Sequence, residues 1–182
     1  MTSIRVNYKS LLNDCREFEN KLLDNLSRIQ KSENSLDKEI ARNYTSYENW
    51  QTLSTTDSPV AKHKSLINFK AQDLNRNLIR FLLEMFPNHS INPSGHFLYP
   101  PGGYMSWHTN SDFPGSRVYI TVVDQVNKSC FKYIKNESMV EDWDNEPIVI
   151  RQFFCSDQDL FWHAVYSECN RYSFGYRIYD LR

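Results

Sequence analysis

Glycine is missing from the first 94 residues of this 182-residue chain, and all 5 glycines lie in the second half. No apolar run approaches the roughly 20 residues that a membrane-spanning helix needs, and the N-terminal residues lack the apolar stretch of a signal peptide. Neither sign of charge is in excess, because 21 Lys and Arg residues stand against 22 Asp and Glu residues. These absences favour a cytoplasmic protein without a membrane partner, and they argue against a nucleic-acid binder that works by bulk charge alone.

Cysteine pairing is not indicated either. The 4 cysteines have no C-x-x-C spacing, so we expect reduced, structural thiols and neither disulfides nor a zinc site. With 40% hydrophobic and 14% aromatic residues, the chain is too apolar to be disordered. Its length fits a single domain that covers residues 1–182.

The glycine distribution separates two sequence patterns. Before residue 94, apolar side chains recur at helical spacing from Leu11 to Ile29, from Ser35 to Tyr44, and from a start signal at Ser58-Pro59 to Met85. A polar stretch over residues 52–57 is predicted to be a loop. We expect this region, residues 1–94, to be helical and to act as support.

From Gly95 onward, short segments rich in β-branched and aromatic residues alternate with turn residues. The predicted strands cover residues 96–99, 104–108, 117–123, 130–134, 148–154, 160–165 and 171–179. The sequence therefore predicts an α+β fold in which a jelly-roll core over residues 95–182 is buttressed by the N-terminal helices.

The acidic segment from Asn136 to Pro147 lacks strand periodicity and lies between two predicted strands. It is a candidate for a mobile lid over an active site, and a plain solvated loop is the competing interpretation.

Two of the 5 histidines have unusual surroundings. His108 and His163 each follow a tryptophan directly, and each lies at the end of a predicted strand. A lone strand histidine is usually an ordinary core or surface group, but two in matched positions favour a shared site.

The residues around this pair form a spaced pattern. The stretch from Tyr99 to Asn110 has the spacing Y-x-x-G-x-x-M-x-x-H-x-N, and it is followed by His163 and by R-x-S at Arg171. The pattern resembles the Fe(II)/2-oxoglutarate-dependent dioxygenase superfamily, which carries Y-x-x-G-x-x-x-x-x-H-x-D, a distal histidine and R-x-S. The resemblance covers residues 95–182 and implies that the jelly roll is a double-stranded β-helix with Fe(II) and 2-oxoglutarate as cofactors.

The resemblance also implies a role for each matched residue. Iron would be held by two imidazoles and a third ligand. Positions i and i+2 of a strand share a face, so His108 and residue 110 can both reach the ion. The implied metal ligands are His108, Asn110 and His163. The distal carboxylate of 2-oxoglutarate would bind an arginine, whose guanidinium offers bidentate hydrogen bonds. The implied cosubstrate residues are Arg171, Ser173 and Tyr99.

Asn110 departs from the superfamily pattern, which has aspartate at this position. Its amide offers a carbonyl oxygen without charge, so iron affinity should fall. Three interpretations stay open. Asn110 is a weak third ligand, or Asp112 supplies the carboxylate from the same strand face, or the site has lost its metal.

Two further features concern the substrate. The spacing R-x-x-x-x-x-R from Arg171 to Arg177 and the spacing H-x-N-x-D are similar to the AlkB-like nucleic-acid demethylases. By that match Arg177 and Asp112 line the substrate side, and Trp107, beside His108, is a further candidate. Phe97 departs from that branch, and the short spacing from His163 to R-Y-S is more similar to the prolyl-hydroxylase-like branch. A plain pairing of Arg177 with a surface acid is the competing interpretation.

The sequence therefore predicts an Fe(II)- and 2-oxoglutarate-dependent dioxygenase that uses O2 to hydroxylate a C–H bond, with succinate and CO2 as co-products. Its substrate would be a small molecule or a peptidyl side chain. The alternatives are an AlkB-like nucleic-acid demethylase and a non-catalytic jelly-roll binding module with a degenerate metal site.

Overall fold

The computed structural model describes residues 2–4, 38–55, 63–64, 67–68 and 72–181. The helices in these ranges are α1 (Lys38–Tyr44), α2 (Tyr47–Ser54) and α3 (Gln72–Met85). The helix predicted from Leu11 to Ile29 and the start signal at Ser58-Pro59 lie outside the described residues. Within the described ranges, no helix has the length and apolarity needed to span a membrane.

The described strands form two antiparallel sheets of six and five strands. The strands are β1 (Thr2–Ile4), β2 (His63–Lys64), β3 (Ile67–Asn68), β4 (His89–Tyr99), β5 (Tyr104–His108), β6 (Gly115–Val123), β7 (Ser129–Lys135), β8 (Ser138–Trp143), β9 (Ile148–Cys155), β10 (His163–Ser167) and β11 (Arg171–Asp180). The six-stranded sheet has the order β1-β9-β6-β11-β4-β3, and the five-stranded sheet has the order β2-β5-β10-β7-β8.

The pairing of the eight long strands is nested. β4 pairs with β11, β5 with β10, β6 with β9 and β7 with β8. This is the pairing of one long hairpin folded over into two sheets, which is the jelly-roll principle. The mostly antiparallel, jelly-roll-like architecture agrees with the prediction from the second half of the sequence.

The region predicted to be helical contributes strands as well. β2 and β3 lie within the stretch predicted to be helix up to Met85, and they pair with β5 and β4. β4 begins at His89, before the expected boundary at Gly95. Pairing with a neighbouring strand overrides local helical spacing in such short segments.

The loop predicted over residues 52–57 is helical in its first part. α2 extends to Ser54, and the Ser46 hydroxyl caps its start by accepting a hydrogen bond from the Asn49 amide at 3.2 Å. The polar residues of this stretch occupy the solvent side of a helix.

The lid interpretation of residues 136–147 is wrong. Residues 138–143 form β8, which pairs with β7 in continuous register. Glu141 forms an ion pair with Lys132 of β7 at 2.9 Å, and Asp142 and Asp144 both bond to Arg151. The acidic side chains made the segment resemble a solvated loop in the sequence. In the structure, cationic neighbours across the sheet hold them against it.

The described cysteines agree with the expectation of reduced, structural thiols. Cys130, Cys155 and Cys169 are buried and unpaired, while Cys15 lies outside the described residues.

Candidate metal and cosubstrate site

The two histidines singled out by the sequence lie next to each other. His108 ends β5, His163 begins β10, and the two residues are directly opposite in the strand register. Their ring centroids are 4.1 Å apart. The pairing of β5 with β10 therefore brings the two imidazole rings into contact.

Backbone carbonyls fix the tautomer of each ring. Nδ1 of His108 lies 2.8 Å from the Ser106 carbonyl oxygen, and Nδ1 of His163 lies 3.0 Å from the Phe161 carbonyl oxygen. A carbonyl only accepts, so each Nδ1 carries the proton and each Nε2 keeps a lone pair. Metal-binding histidines are held in this way, with the distal nitrogen directed at the ion.

The protein environment keeps both rings neutral. Burial lowers the pKa of His108, and the Ser106 carbonyl opposes it only in part. The pKa of His163 lies well below its ordinary value because the ring is completely buried and because His108 is adjacent. Both Nε2 atoms are therefore available as ligands at neutral pH.

Asn110 reaches the histidine pair by a turn. β5 ends at His108, and Asn110 adopts a left-handed conformation with φ of 56°, which asparagine tolerates better than most residues. Its amide nitrogen lies 3.1 Å from His163 Nε2 and 3.3 Å from the Tyr119 hydroxyl. The strand alternation expected for residue 110 is wrong, although the side chain still lies against the pair.

Asp112 lies in the exposed turn that follows. Because β5 ends at His108, the shared strand face predicted for residue 112 does not exist. Within the part of the chain that the structure describes, no three His, Cys, Asp or Glu residues come together as a metal cluster. The structure therefore does not bring Asp112 to the two imidazoles.

Arg171 is completely buried at the start of β11. Its Nε donates to Asp144 at 2.9 Å and its Nη2 to the Thr121 hydroxyl at 3.1 Å, while the guanidinium carbon lies 5.3 Å from the centre of the Tyr99 ring. Nη1 has no partner among the described residues. The two N–H bonds of this buried nitrogen are therefore left for a ligand.

Asp144 and Arg151 are the residues of this region that sequence analysis missed. The buried Asp144 carboxylate accepts from Arg151 Nη1 at 2.6 Å as well as from Arg171, and also from the Ser129 hydroxyl. No motif marks either residue. Residues 138–143 (SMVEDW) do not alternate apolar and polar side chains, so no local pattern indicated their surroundings either.

A cavity of about 30 Å³ lies beneath the histidine pair. Its lining includes His108, His163, Tyr99, Ser173 and Gly175. This volume holds one or two water molecules. Arg171 and Asn110 lie outside the lining.

Phe97 limits the cavity. Its ring covers Gly95, where an added Cβ would stand 2.7 Å from a ring carbon. Phe97 therefore forms part of the cavity wall and leaves no room for a side chain at residue 95.

Aromatic rings surround His163. Phe131 and Phe153 have ring centroids 5.3 Å from it, Phe161 lies at 5.4 Å, and Tyr119 lies at 6.4 Å. These rings exclude water and lower the local dielectric constant.

Trp107 belongs to a different part of the core. Its indole is completely buried, packs with Trp162 and Ala164, and donates to the Ser46 carbonyl at 2.7 Å. It alternates with His108 along β5 and does not line the cavity. The structure thus separates it from the residues expected to contact substrate.

Fold and site together define a jelly-roll-like β protein with a paired-histidine centre. No known family has a model that matches the sequence, and no curated protein matches it. Among solved structures, a prolyl-4-hydroxylase from Pseudomonas putida is similar at 10% identity with a TM-score of 0.45, covering 80% of this chain and 89% of that one. A similarity at this level carries no inference about activity.

Proposed function

We propose that the protein is an Fe(II)- and 2-oxoglutarate-dependent dioxygenase that hydroxylates a C–H bond of a small molecule or an amino-acid side chain, with succinate and CO2 as co-products. One observation carries this proposal. His108 and His163 are neutral, adjacent and fixed through Nδ1, and the Asn110 amide lies against the pair. The nested strand pairing of the jelly-roll-like fold supports it.

The donor set fits a ferrous ion. Two Nε2 lone pairs and the Asn110 carbonyl oxygen, after a half-turn of its amide, would hold the ion. When bound, iron and 2-oxoglutarate supply the oxidising chemistry from O2. Asn110 in place of a carboxylate leaves the site more positive by one charge and weakens its hold on the ion.

The second half of the site fits a carboxylate in part. Arg171 Nη1 is buried without a described partner, and the Tyr99 and Ser173 side chains line the neighbouring cavity. Burial raises the pKa of Tyr99, so its hydroxyl stays protonated and can donate. Because Asp144 and Thr121 take one hydrogen each from Nε and Nη2, Arg171 would bind the carboxylate mainly through the two N–H bonds of Nη1.

A non-catalytic binding module is the second candidate. The observation that favours it is the 3.1 Å contact between the Asn110 amide nitrogen and His163 Nε2, which satisfies the imidazole without an ion. The small cavity agrees with this candidate too.

Anaerobic Fe(II) titration followed by a succinate assay with 2-oxoglutarate and O2 tests the proposal. We expect wild-type protein to bind one Fe(II) and to form succinate, and His163→Gln to lose both. His89→Gln is the matched control because His89 pairs with Asp180 away from the cavity, and it should behave like wild type. Failure of wild type to bind iron and to form succinate, even at high iron, would favour the binding module.

A further inference from the structure

A second pair of arginines lies on the inner face of the six-stranded sheet. Arg117 of β6 is directly opposite Arg177 of β11 in the strand register. Opposed residues on neighbouring antiparallel strands share a face, with Cβ atoms about 4.5–5.5 Å apart. The two side chains therefore leave the backbone side by side on the same face of the sheet.

Both arginines also meet at Phe113. Arg117 Nη2 donates to the Phe113 carbonyl oxygen, and the guanidinium carbon of Arg177 lies 4.2 Å from the centre of the Phe113 ring. The Phe113 residue is 56% exposed. The pair is consequently anchored at one end of the sheet and reachable from solvent at this ring.

No counter-charge accompanies the pair within the part of the chain that the structure describes. Among the described residues, no Asp or Glu oxygen lies within 4.0 Å of either guanidinium, and Arg117 Nη1 and Arg177 Nε are buried without a partner. Arg151 and Arg171 share Asp144 by contrast. The thiol of Cys155, beside Arg117, supplies no charge because burial raises its pKa.

Like charges that are partly withdrawn from water repel one another, and buried donors without acceptors cost free energy. An oxyanion placed between the two groups would relieve both costs. Arginine is well suited to this because its planar fork matches carboxylate and phosphate geometry.

The pair lies beside the histidine site. Tyr119, which contacts Asn110, is two residues from Arg117 on the same face of β6, so the two Cα atoms are about 7 Å apart. On β11, Ser173 and Gly175 line the cavity between Arg171 and Arg177. The sheet therefore carries a cationic group on each side of the cavity, about 20 Å apart along the strand.

We propose that Arg117 and Arg177 bind an oxyanion group of the substrate, a carboxylate or a phosphate, with Phe113 as the apolar wall of the site. That the anion is part of a substrate rests on the proposed function, whereas the existence of the anion site does not. The substrate class is then an anionic small molecule whose reacting carbon reaches the histidine pair. The near-neutral chain, with 21 cationic against 22 anionic residues, disfavours a nucleic-acid backbone as the source of the anion.

Side-chain NMR of arginine Nε–H groups tests this directly on the metal-free protein. Sodium phosphate and sodium acetate are titrated in separate arms, with sodium chloride at equal ionic strength as the reference. We expect saturable shifts of the Arg117 and Arg177 signals with phosphate or acetate, and the tighter arm identifies the group. Shifts that do not saturate, or that chloride reproduces, would overturn the proposal.

Arg177→Gln is the variant of choice because Arg117 is nearly fully buried and its removal endangers folding. We expect affinity for the better anion to fall by about tenfold, the loss of a charge-assisted hydrogen bond. Arg80→Gln, which removes an exposed arginine near Asn77 on α3, should leave affinity unchanged. Equal affinity of Arg177→Gln and wild type would also overturn the proposal.

The titration uses neither iron nor 2-oxoglutarate. The titration therefore tests the anion site alone. The dioxygenase proposal is tested separately, by iron binding and succinate formation.

Discussion

Asp144 Oδ2 lies 2.9 Å from Arg171 Nε, and both side chains are completely shielded from solvent. The same carboxylate binds Arg151 at 2.6 Å. The arginine that the sequence pattern reserves for 2-oxoglutarate is therefore partnered within the protein itself. A cosubstrate carboxylate would have to share Arg171 with Asp144, which lies in the segment considered as a lid and forms an ion pair with that guanidinium.

Asp144→Asn should destabilise the protein strongly. The substitution leaves two buried guanidinium groups with a neutral partner, and breaking a buried ion pair in this way costs about 3–5 kcal/mol. The free energy of unfolding in urea measures the effect. Asp142→Asn is the matched control, because its side chain is 23% exposed and its loss should cost clearly less. Equal losses would contradict the central role of Asp144.

Stability should fall in acid because of the same group. Burial raises the pKa of Asp144, but Arg171, Arg151 and the Ser129 hydroxyl lower it by more, so it lies below its ordinary value. A carboxyl with a lowered folded-state pKa adds stability above its unfolded pKa, about 4, and loses it as the pH falls through the folded pKa. Unfolding free energies from pH 7 to 3 should show this acid decline in wild type and lack it in Asp144→Asn. Parallel curves would contradict the assignment.

Asn110→Asp should tighten metal binding. A carboxylate brings a negative charge to the ion, and it cannot donate to His163 as the amide does. We expect the Fe(II) dissociation constant to fall by about tenfold or more, since each factor of ten needs only about 1.4 kcal/mol. Anaerobic competition with a chelator measures it. Asp112→Asn, in the exposed turn, should change nothing, and an unchanged constant in Asn110→Asp would place residue 110 away from the metal.

Gly175→Ala should disturb the floor of the cavity. An added Cβ would lie 2.7 Å from Ser94 Oγ, 3.0 Å from Tyr119 Cε1 and 3.2 Å from the Gly95 carbonyl oxygen. The serine hydroxyl can rotate away, but the ring and the backbone must shift, so we expect a loss of about 1–3 kcal/mol in thermal unfolding. Adding Ser94→Gly should restore only part of it. Full restoration would mean that Tyr119 and the backbone adapt freely.

Trp107→Phe should affect stability and not the histidine site. The substitution removes the indole N–H that donates to the Ser46 carbonyl and leaves a small void in the buried cluster. Unfolding free energy should fall by about 1–3 kcal/mol. Fe(II) affinity should match that of wild type. A reduced affinity would indicate that Trp107 contributes to the metal site.

The fold was predictable where turn residues delimit a strand. The strand from Tyr104 to His108 matches its predicted bounds, because Gly102 and Gly103 directly precede it and Asn110 follows it closely. β8 escaped notice because its acidic residues look solvated and find their cationic partners only across the sheet. β2 and β3 are two residues long, too short to carry any period.

The site was predictable where a residue type is chemically distinctive. His108 and His163 each follow a tryptophan in a chain with few histidines. The structure brings the two rings together. Arg117 and Asp144 have no such marker. Their importance depends on partners far along the chain, which no local pattern contains.

The nested strand pairing has a consequence for how the protein folds. β11 lies between β6 and β4 in the six-stranded sheet and carries Arg171, Ser173 and Arg177. Long-range pairings of this kind make folding slow, typically milliseconds to seconds, because loop closure must precede the contacts that reward it. Until β11 inserts, β4 and β6 expose unpaired backbone edges that can associate with other chains. A ligand that bridges β11 and its neighbours would therefore bind only the completed core, and its binding energy would stabilise the whole fold.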